Sequence, residues 1–302
     1  MRRWCGSWVW VEQASLSPHL GWCGDFVPGS IGHGPESTTV SSGERSAPEP
    51  AVDAAFDRLV EEGDERLSRP LLPLVGTGLL GGIDVGTGVL AYFVVQHYTH
   101  NPLLAGIAFS IGFVALLLAR SELFTENFLV PVVNVAAGHR SIWALLRLWS
   151  ITLVANLLGG WLIAWLIVTG RPDLKETAVQ VSDHYFELGI NLHSFVLAVL
   201  AGTVMTLLTR MQHASDNLGV QLVPALLFGA LLAGGQLFHS VLDSLFMFAG
   251  LHSGSRFGYL DWFGALGWSA LGNLVGGVVL VTAIRLVRTH HRVRQERADQ
   301  KS

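Results

Sequence analysis

Charged residues are scarce in this chain of 302 amino acids: Asp, Glu, Lys and Arg together make up 14% of it. A typical soluble domain contains roughly 25%, and the missing charges are those that a lipid bilayer rejects. Apolar residues make up 50% of the sequence. The formal net charge is −4, so the chain also lacks the basic excess of a protein that binds nucleic acid. The composition therefore predicts a membrane protein whose surroundings are lipid and which has no nucleic-acid partner.

Cysteine is also scarce. The two cysteines, Cys5 and Cys23, lie in the polar N-terminal region, and they provide neither a disulfide framework nor the spacing of a metal site. The sequence contains no recognisable set of nucleophile and base. We therefore predict no catalytic residues, no metal and no cofactor, and we do not expect an enzyme.

The chain divides into four segments. Residues 1–52 mix Gly, Ser, Pro and scattered charges without periodicity, which predicts a disordered N-terminal extension. Residues 53–70 are predicted to form an amphipathic cytoplasmic helix that lies along the membrane or packs under the bundle. The apolar face of this helix comprises Phe56, Leu59, Val60 and Leu67. Residues 71–288 form the membrane domain, and residues 289–302 form a basic cytoplasmic tail.

The membrane domain contains six apolar segments, each long enough for a crossing of about 20 residues. They are residues 71–96, 103–137, 142–169, 188–209, 218–251 and 259–287. The second and the fifth are too long for one straight crossing and are interrupted by polar or glycine residues. Interrupted segments at equivalent places are typical of transporters built from inverted repeats. We predict an all-α polytopic membrane protein with six spans in two inverted three-helix halves, in which spans two and five are broken.

Basic residues predict the orientation. Arg58, Arg66 and Arg69 precede the first span, and the tail after residue 284 is strongly basic, whereas residues 97–102 contain no Lys or Arg. We expect both termini in the cytoplasm and the protein in the inner, or plasma, membrane.

The two interruptions share a sequence pattern. The first reads Leu-Phe-Thr over residues 123–125, and the second reads Leu-Phe-His over residues 237–239. A polar residue at membrane depth is expensive and indicates function. We expect Thr125 and His239 to be equivalent in the two halves and to converge on one polar point, at which Thr125 orients His239.

The backbone at both interruptions is expected to favour an anion. Ser121 can cap a half-helix that begins at Glu122, and Gly234 and Gly235 permit unusual backbone angles. The positive end of a half-helix would then face inward and suit a small anion. Three side chains are expected to form apolar collars that dehydrate the permeant species: Phe109, Phe113 and Leu232.

Other polar residues near the interruptions have two interpretations. His239 could donate a hydrogen bond or take up a proton near neutral pH, or it could bond a backbone carbonyl inside the bundle. Asp243 could tune the basicity of His239 or cap a neighbour. Arg120 and Glu122 could tune the site or form an internal ion pair that stabilises the break. His213, near the end of span four, is expected to be solvated.

The chain resembles the formate–nitrite transporter family over about residues 54–288. The most specific stretches are Phe-Ser-Ile-Gly at 109–112, Glu-Leu-Phe-Thr-Glu-Asn at 122–127, Phe-His-Ser at 238–240 and Leu-Gly-Asn-Leu-Val-Gly-Gly at 271–277. The resemblance implies an aquaporin-like protomer within a homopentamer that conducts small monovalent anions such as formate or nitrite.

The same resemblance implies roles for single residues. Thr125 and His239 match the central threonine and histidine of the pore, and Asn273 matches the pore asparagine. Phe109 matches the periplasmic constriction and Phe113 a cytoplasmic constriction. The histidine would be the proton or hydrogen-bond partner of the anion.

The chain departs from the family pattern near the pore. Phe238 stands where the family usually has Glu, and Asp243 stands where it usually has Asn. The Arg-Gly-x-x-x-Asn stretch of span four reads Ala-Gly-Thr-Val-Met-Thr over residues 201–206, and the vestibule lysine has no counterpart near Ile190. A basic vestibule concentrates anions by steering, so its loss predicts a divergent member.

Three functions are consistent with these features. The first is a channel or transporter for small monovalent anions or their neutral acids, with a proton passing through His239. The second is a passive pore for neutral small solutes. The third is a non-transporting membrane regulatory protein on the same scaffold.

Overall fold

The computed structural model describes residues 50–300, and within this range the regular structure is helical, without β-strands. The α-helices of this range are α1 (Pro50–Ser68), α2 (Leu71–Thr99), α3 (Pro102–Ala119), α4 (Val130–Ala137), α5 (Ile142–Gly170), α6 (Lys175–Leu188), α7 (Leu192–Gln212), α8 (Leu218–Gly234), α9 (Ser240–Ser253), α10 (Tyr259–Leu274), α11 (Ile284–Arg288) and α12 (His290–Asp299). Short 3₁₀ turns cover Phe124–Phe128 and Pro172–Leu174, and a π-helical stretch, Val275–Ala283, joins α10 to α11. The predicted disorder of residues 1–52 lies outside the described residues, except that the last three positions begin α1.

Five helical segments are long and apolar enough to cross a membrane. They are α2, α3, α5, α7 and the continuous segment Tyr259–Arg288. Two shorter apolar segments, Phe124–Ala137 and Leu218–Gly234, accompany them. The all-α fold is confirmed, and the count of six spans stays a prediction.

The chain leaves the helix between α3 and α4. α3 ends at Ala119, because Arg120 adopts a left-handed conformation with φ 52°. No half-helix begins at Glu122, and the Ser121 hydroxyl has no hydrogen-bond partner within residues 50–300. The predicted Ser121 cap is therefore wrong: the chain turns through Phe124–Phe128 before α4 begins.

The second interruption separates α8 from α9. The unusual backbone angle belongs to Gln236, with φ 49°, whereas Gly235 has φ −79° and Gly234 is helical. The predicted conformational role of the two glycines is therefore wrong. The close approach of α3 to α8 depends on Gly106 of α3, because a Cβ there would lie 2.3 Å from the Gly234 backbone nitrogen.

Each half of the described fold begins with an amphipathic helix. α1 precedes α2 and packs on the half-helix α4, while α6 precedes α7 and packs on the half-helix α9. α6 follows the end of α5, and His97 near the end of α2 bonds Thr177 of α6, with 3.1 Å between Nδ1 and Oγ1. α1 and α6 therefore lie at opposite ends of the bundle, which we name the α1 side and the α6 side.

The apolar face predicted for α1 is buried against the bundle. Phe56, Leu59 and Val60 form a cluster with residues of α4, and Leu67 packs beside Leu74 of α2. We predicted that α1 lies along the membrane or packs under the bundle, and the structure shows it packed under the bundle.

Candidate functional site

Asn156 of α5 holds the first interruption in place. Its Oδ1 accepts a hydrogen bond from the Phe124 backbone N–H at 2.8 Å. Its Nδ2 donates to the carbonyl oxygens of Gly78 at 2.7 Å and Glu122 at 2.8 Å. A helix that stops inside a membrane leaves backbone groups that protein must satisfy. This side chain satisfies two of them, on Glu122 and Phe124, and its bond to Gly78 ties the interruption to α2.

Asn273 of α10 does the same at the second interruption. Its Oδ1 accepts from the Ser240 N–H at 2.9 Å, and its Nδ2 donates to the carbonyl oxygens of Ala198 at 2.8 Å and Phe238 at 2.9 Å. Both amide hydrogens are occupied by these carbonyl oxygens, so Asn273 holds the second interruption in place. Its match to the pore asparagine stays a prediction. We call Asn156 and Asn273 the clamp asparagines.

The clamp asparagines fix the register of the repeat. Phe124 and Ser240 are equivalent, because each donates its N–H to a clamp. The counterpart of His239 is then Leu123, and Thr125 corresponds to Val241. The predicted equivalence of Thr125 and His239 is therefore wrong by two residues, although the two side chains do meet.

A sequence signal for the clamps was missed. Residues 156–160 read Asn-Leu-Leu-Gly-Gly, and residues 273–277 read Asn-Leu-Val-Gly-Gly. A Cβ on Gly159 or Gly276 would lie 2.2 or 2.0 Å from a carbonyl oxygen of α2 or α7. Only glycine allows so close an approach, so each motif brings its asparagine to the break.

Thr125 and His239 form a hydrogen-bonded pair between the two interruptions. Thr125 Oγ1 lies 2.9 Å from His239 Nε2, and both side chains are fully buried. His239 Nδ1 accepts the Leu242 backbone N–H at 3.0 Å and so caps α9. The interpretation in which His239 bonds a backbone carbonyl is therefore wrong. Because Nδ1 is an acceptor, the hydrogen of the neutral ring is on Nε2 and is donated to Thr125.

The Thr125 hydroxyl keeps a hydrogen to donate. Having accepted from His239, its oxygen makes no other hydrogen bond within residues 50–300. The predicted collar residues are all buried: Phe109 and Phe113 form a T-shaped pair with centroids 5.2 Å apart, and Leu232 belongs to the same large apolar cluster. Their role as collars around the Thr125–His239 pair stays a prediction.

A polar cavity of about 580 Å³ opens on the α1 side. At its wall, buried Glu122 pairs with Arg69, which lies between α1 and α2, with 2.5 Å between Oε1 and Nη1. Arg120 is exposed at the cavity rim and makes no ion pair with Glu122. The predicted Arg120–Glu122 pair is therefore wrong, because a cation 53 positions away in the chain takes its place.

A second charged network fastens α1 to this cavity. Arg66 donates to Glu62 Oε1 at 2.9 Å and to Asn127 Oδ1 at 3.1 Å. His213 at the end of α7 bonds Glu62 Oε2 at 2.7 Å, so its predicted solvation is wrong. Burial by itself would raise the pKa of Glu62, but the hydrogen bond from His213 and the charge of Arg66 outweigh burial and lower the pKa to about 2. This carboxylate therefore stays ionised across the physiological range.

Replacing Arg69 with methionine is expected to destabilise the fold, because buried Glu122 would lose the cation that it contacts. Breaking a buried ion pair in this way costs about 3–5 kcal/mol, and the partial exposure of Arg69 favours the lower end. The measurement is thermal unfolding in detergent. The double variant R69M/E122Q should recover most of the loss; if it unfolds as early as R69M, the ion pair is not the cause.

The α6 side of the site is apolar and aromatic. Phe238 stacks on Tyr185 of α6 with centroids 6.2 Å apart, and Tyr185 stacks on Phe246 of α9 at 5.7 Å. Asp243, in the first turn of α9, is 2% exposed. Neither of its carboxylate oxygens makes a hydrogen bond of standard geometry within the described part of the chain. The predicted capping role of Asp243 is therefore wrong.

The family profile described as formate/nitrite transporter matches residues 53–287, from α1 to α11, so that both halves of the repeat fall inside it. The chain belongs to the formate/nitrite transporter family. It is 24% identical to the inner membrane protein YfdC of Escherichia coli (strain K12) over 266 residues, which are 82% of this chain and 81% of the relative.

Two solved structures of the family share the fold. An FNT family ion channel superposes with a TM-score of 0.68 at 19% identity, over 77% of this chain and 96% of that channel. A pentameric formate channel with formate bound gives a TM-score of 0.62 at 20% identity, over 72% of this chain and 97% of that channel.

Membership of the family settles the class of activity. Its members are channels and transporters, so this protein is a channel or transporter of the formate/nitrite class and not an enzyme. The apolar helices and the relatives also identify it as a multi-pass protein of the inner membrane.

Proposed function

We propose that this protein passes small monovalent weak-acid anions of the size of formate or nitrite, or their neutral acids, through a pore centred on Thr125 and His239. The observation that carries the proposal is the 2.9 Å contact between these side chains. His239 donates to Thr125, and the Thr125 hydroxyl is left free to donate to an oxygen atom of the permeant species. This hydroxyl is the selective group of the pore.

The predicted apolar collars favour crossing as the neutral acid. A bare anion loses its hydration between Phe109, Phe113 and Leu232, and apolar side chains do not compensate that loss. A proton therefore crosses together with the anion. His239 is poorly placed to carry it, because protonation at Nδ1 would break the bond donated by the Leu242 N–H. We assign His239 the role of a fixed hydrogen-bond donor.

The proposed assembly is a homopentamer, and the proposed orientation has the α1 side and both termini in the cytoplasm. The pentameric formate channel to which the chain is similar supports the assembly. The arginines of α1 and of the tail support the orientation. Each protomer contains its own clamp asparagines and its own Thr125–His239 pair, so each would hold one pore.

A passive pore for neutral small solutes is the second candidate. The aromatic α6 side favours it, because Phe238, Tyr185 and Phe246 offer no cation to attract an anion. Such a pore would pass uncharged solutes at a rate independent of pH. Weak acids are distinguished from neutral solutes by the pH dependence of their uptake.

Thr125→Val is expected to lower nitrite and formate uptake into proteoliposomes by roughly tenfold to a hundredfold, because a hydrogen bond to a charged group contributes about 1.5–3 kcal/mol. Valine keeps the shape of threonine and removes the hydroxyl. Thr125→Ser keeps the hydroxyl and should transport at a rate close to that of the wild type. Equal uptake by Thr125→Val and wild type would refute a pore centred on this hydroxyl.

A further inference from the structure

Asp243 is a buried carboxyl group that the hydrogen-bond network leaves without a partner. It is 2% exposed, neither oxygen has a standard hydrogen bond, and no ion pair within residues 50–300 includes it. A buried carboxylate without a cation is strongly unfavourable, and the neutral acid is less so. An ionisable residue inside a membrane indicates function.

The repeat shows what the equivalent position does in the other half. Asn127 and Asp243 are equivalent, since each lies three positions after the backbone amide held by a clamp asparagine. Asn127 is a neutral amide whose Oδ1 accepts a hydrogen bond from Arg66 of α1. On the α6 side the position is acidic, and α6 offers Tyr185 instead of an arginine. Asp243 is therefore an ionisable side chain at a position where the other half of the fold has a neutral amide.

Within residues 50–300, the groups that interact electrostatically with Asp243 are tyrosines and not cations. Tyr92 of α2 and Tyr185 of α6 are close enough to interact electrostatically with it. α5 has no charged residue over positions 148–170, and Asp261 of α10 bonds the Gly258 amide at the start of its own helix. The other titratable groups on the packed helices do not act on Asp243 within the described part of the chain: Asp84, His97, Asp183, His184, Glu187, His252 and Tyr259.

The start of α9 opposes the effect of burial on Asp243. Asp243 lies in the first turn, where the helix dipole favours a negative charge, whereas its burial favours the neutral acid.

We propose that Asp243 carries the proton that crosses with the anion, on the α6 side of the Thr125–His239 pair. This inference rests on the proposed function and names the proton carrier of that pore. In the transfer, the O–H bond of the Asp243 carboxyl group breaks and an O–H bond forms on the anion. The products are the neutral acid and the Asp243 carboxylate, and a proton from water on the α6 side then restores the carboxyl group.

The Thr125–His239 pair and the Asp243 carboxyl group have different roles in this proposal. Both ring nitrogens of His239 are committed, one to the Leu242 amide and one to Thr125. Both oxygens of Asp243 are uncommitted, one helical turn further along the chain. His239 and Thr125 position the anion, and Asp243 supplies the proton.

The test is uptake of formate and nitrite by the full chain in proteoliposomes, measured from mildly acidic to mildly alkaline pH. Asp243→Asn should transport like the wild type at acidic pH, where the free acid is already present in solution. At alkaline pH its uptake should be lower by roughly a hundredfold or more, the usual effect of losing a positioned general acid. Asp243→Glu, which keeps a carboxyl group, should retain the wild-type pH profile.

Each other outcome is decisive. A wild-type pH profile in Asp243→Asn would overturn the assignment of Asp243 while leaving the proposed function intact. No uptake by the wild type at any pH would overturn the proposed function itself. If Asp243→Asn does not assemble, infrared spectroscopy replaces it: the carboxylic-acid C=O band of the wild type should shift in Asp243→Glu, and the absence of such a band would overturn the proposal.

Discussion

Asn273→Leu is expected to leave little folded protein. Leucine has a similar size but would leave the Ser240 N–H and the Phe238 carbonyl oxygen buried without partners. It would also remove the bond that ties this interruption to Ala198 of α7. Each unsatisfied group costs about 1–3 kcal/mol, so the two together can reach the lower end of the roughly 5–15 kcal/mol stability of a typical native protein. The measurement is the yield of the assembled protein after detergent extraction, together with its unfolding temperature.

The matched control for this variant is Asn217→Leu. Asn217 caps α8 at an exposed position by accepting the Val220 N–H, and the loss of such a cap costs about 1 kcal/mol. The repeat also predicts that Asn156→Leu will behave like Asn273→Leu. If either clamp variant is as stable as Asn217→Leu, the clamps do not hold the interruptions.

Removing His239 is expected to abolish transport through two separable effects. His239→Ala removes the cap on α9 and the donor to Thr125 together. His239→Asn keeps a good helix cap but ends too early to reach Thr125. We expect uptake to fall about a hundredfold or more in both variants, by analogy with the loss of one positioned donor in a dry site. Stability should fall by about 1 kcal/mol in the alanine variant alone.

The comparison of the two variants separates function from folding. Uptake of nitrite in proteoliposomes gives the first quantity, and unfolding in detergent gives the second. Transport by His239→Asn at the wild-type rate would show that the contact with Thr125 is dispensable. Equal loss of stability in both variants would show that the Nδ1 bond to Leu242 is not a cap.

Local apolar patterns predicted the main parts of this fold. The long apolar segments and the positions of the interruptions follow from the sequence, because a bilayer imposes length and composition directly. The meeting of Thr125 and His239 was also predicted. The predicted equivalence of the two residues was wrong. The shared Leu-Phe pattern pairs Thr125 with His239, whereas the hydrogen bonds of the clamp asparagines pair Thr125 with Val241.

Long-range partners could not be predicted from local patterns. Glu122 was paired with its neighbour Arg120, but the fold brings Arg69 to it. The polar helix α6 has no long apolar run, so its equivalence with α1 emerged only from its packing on α9. The Asn-Leu-x-Gly-Gly motifs beginning at Asn156 and Asn273 were visible in the sequence, and a search for internal repeats would have found both clamps.

The most direct test of the central claim is nitrite and formate uptake by the wild-type protein in proteoliposomes, with internal pH and membrane current recorded together. The pore centred on Thr125 and His239 predicts uptake that acidifies the interior, carries no net current and slows as the external pH rises. Uptake that carries current without acidification, or a flux of neutral solutes alone, would contradict it.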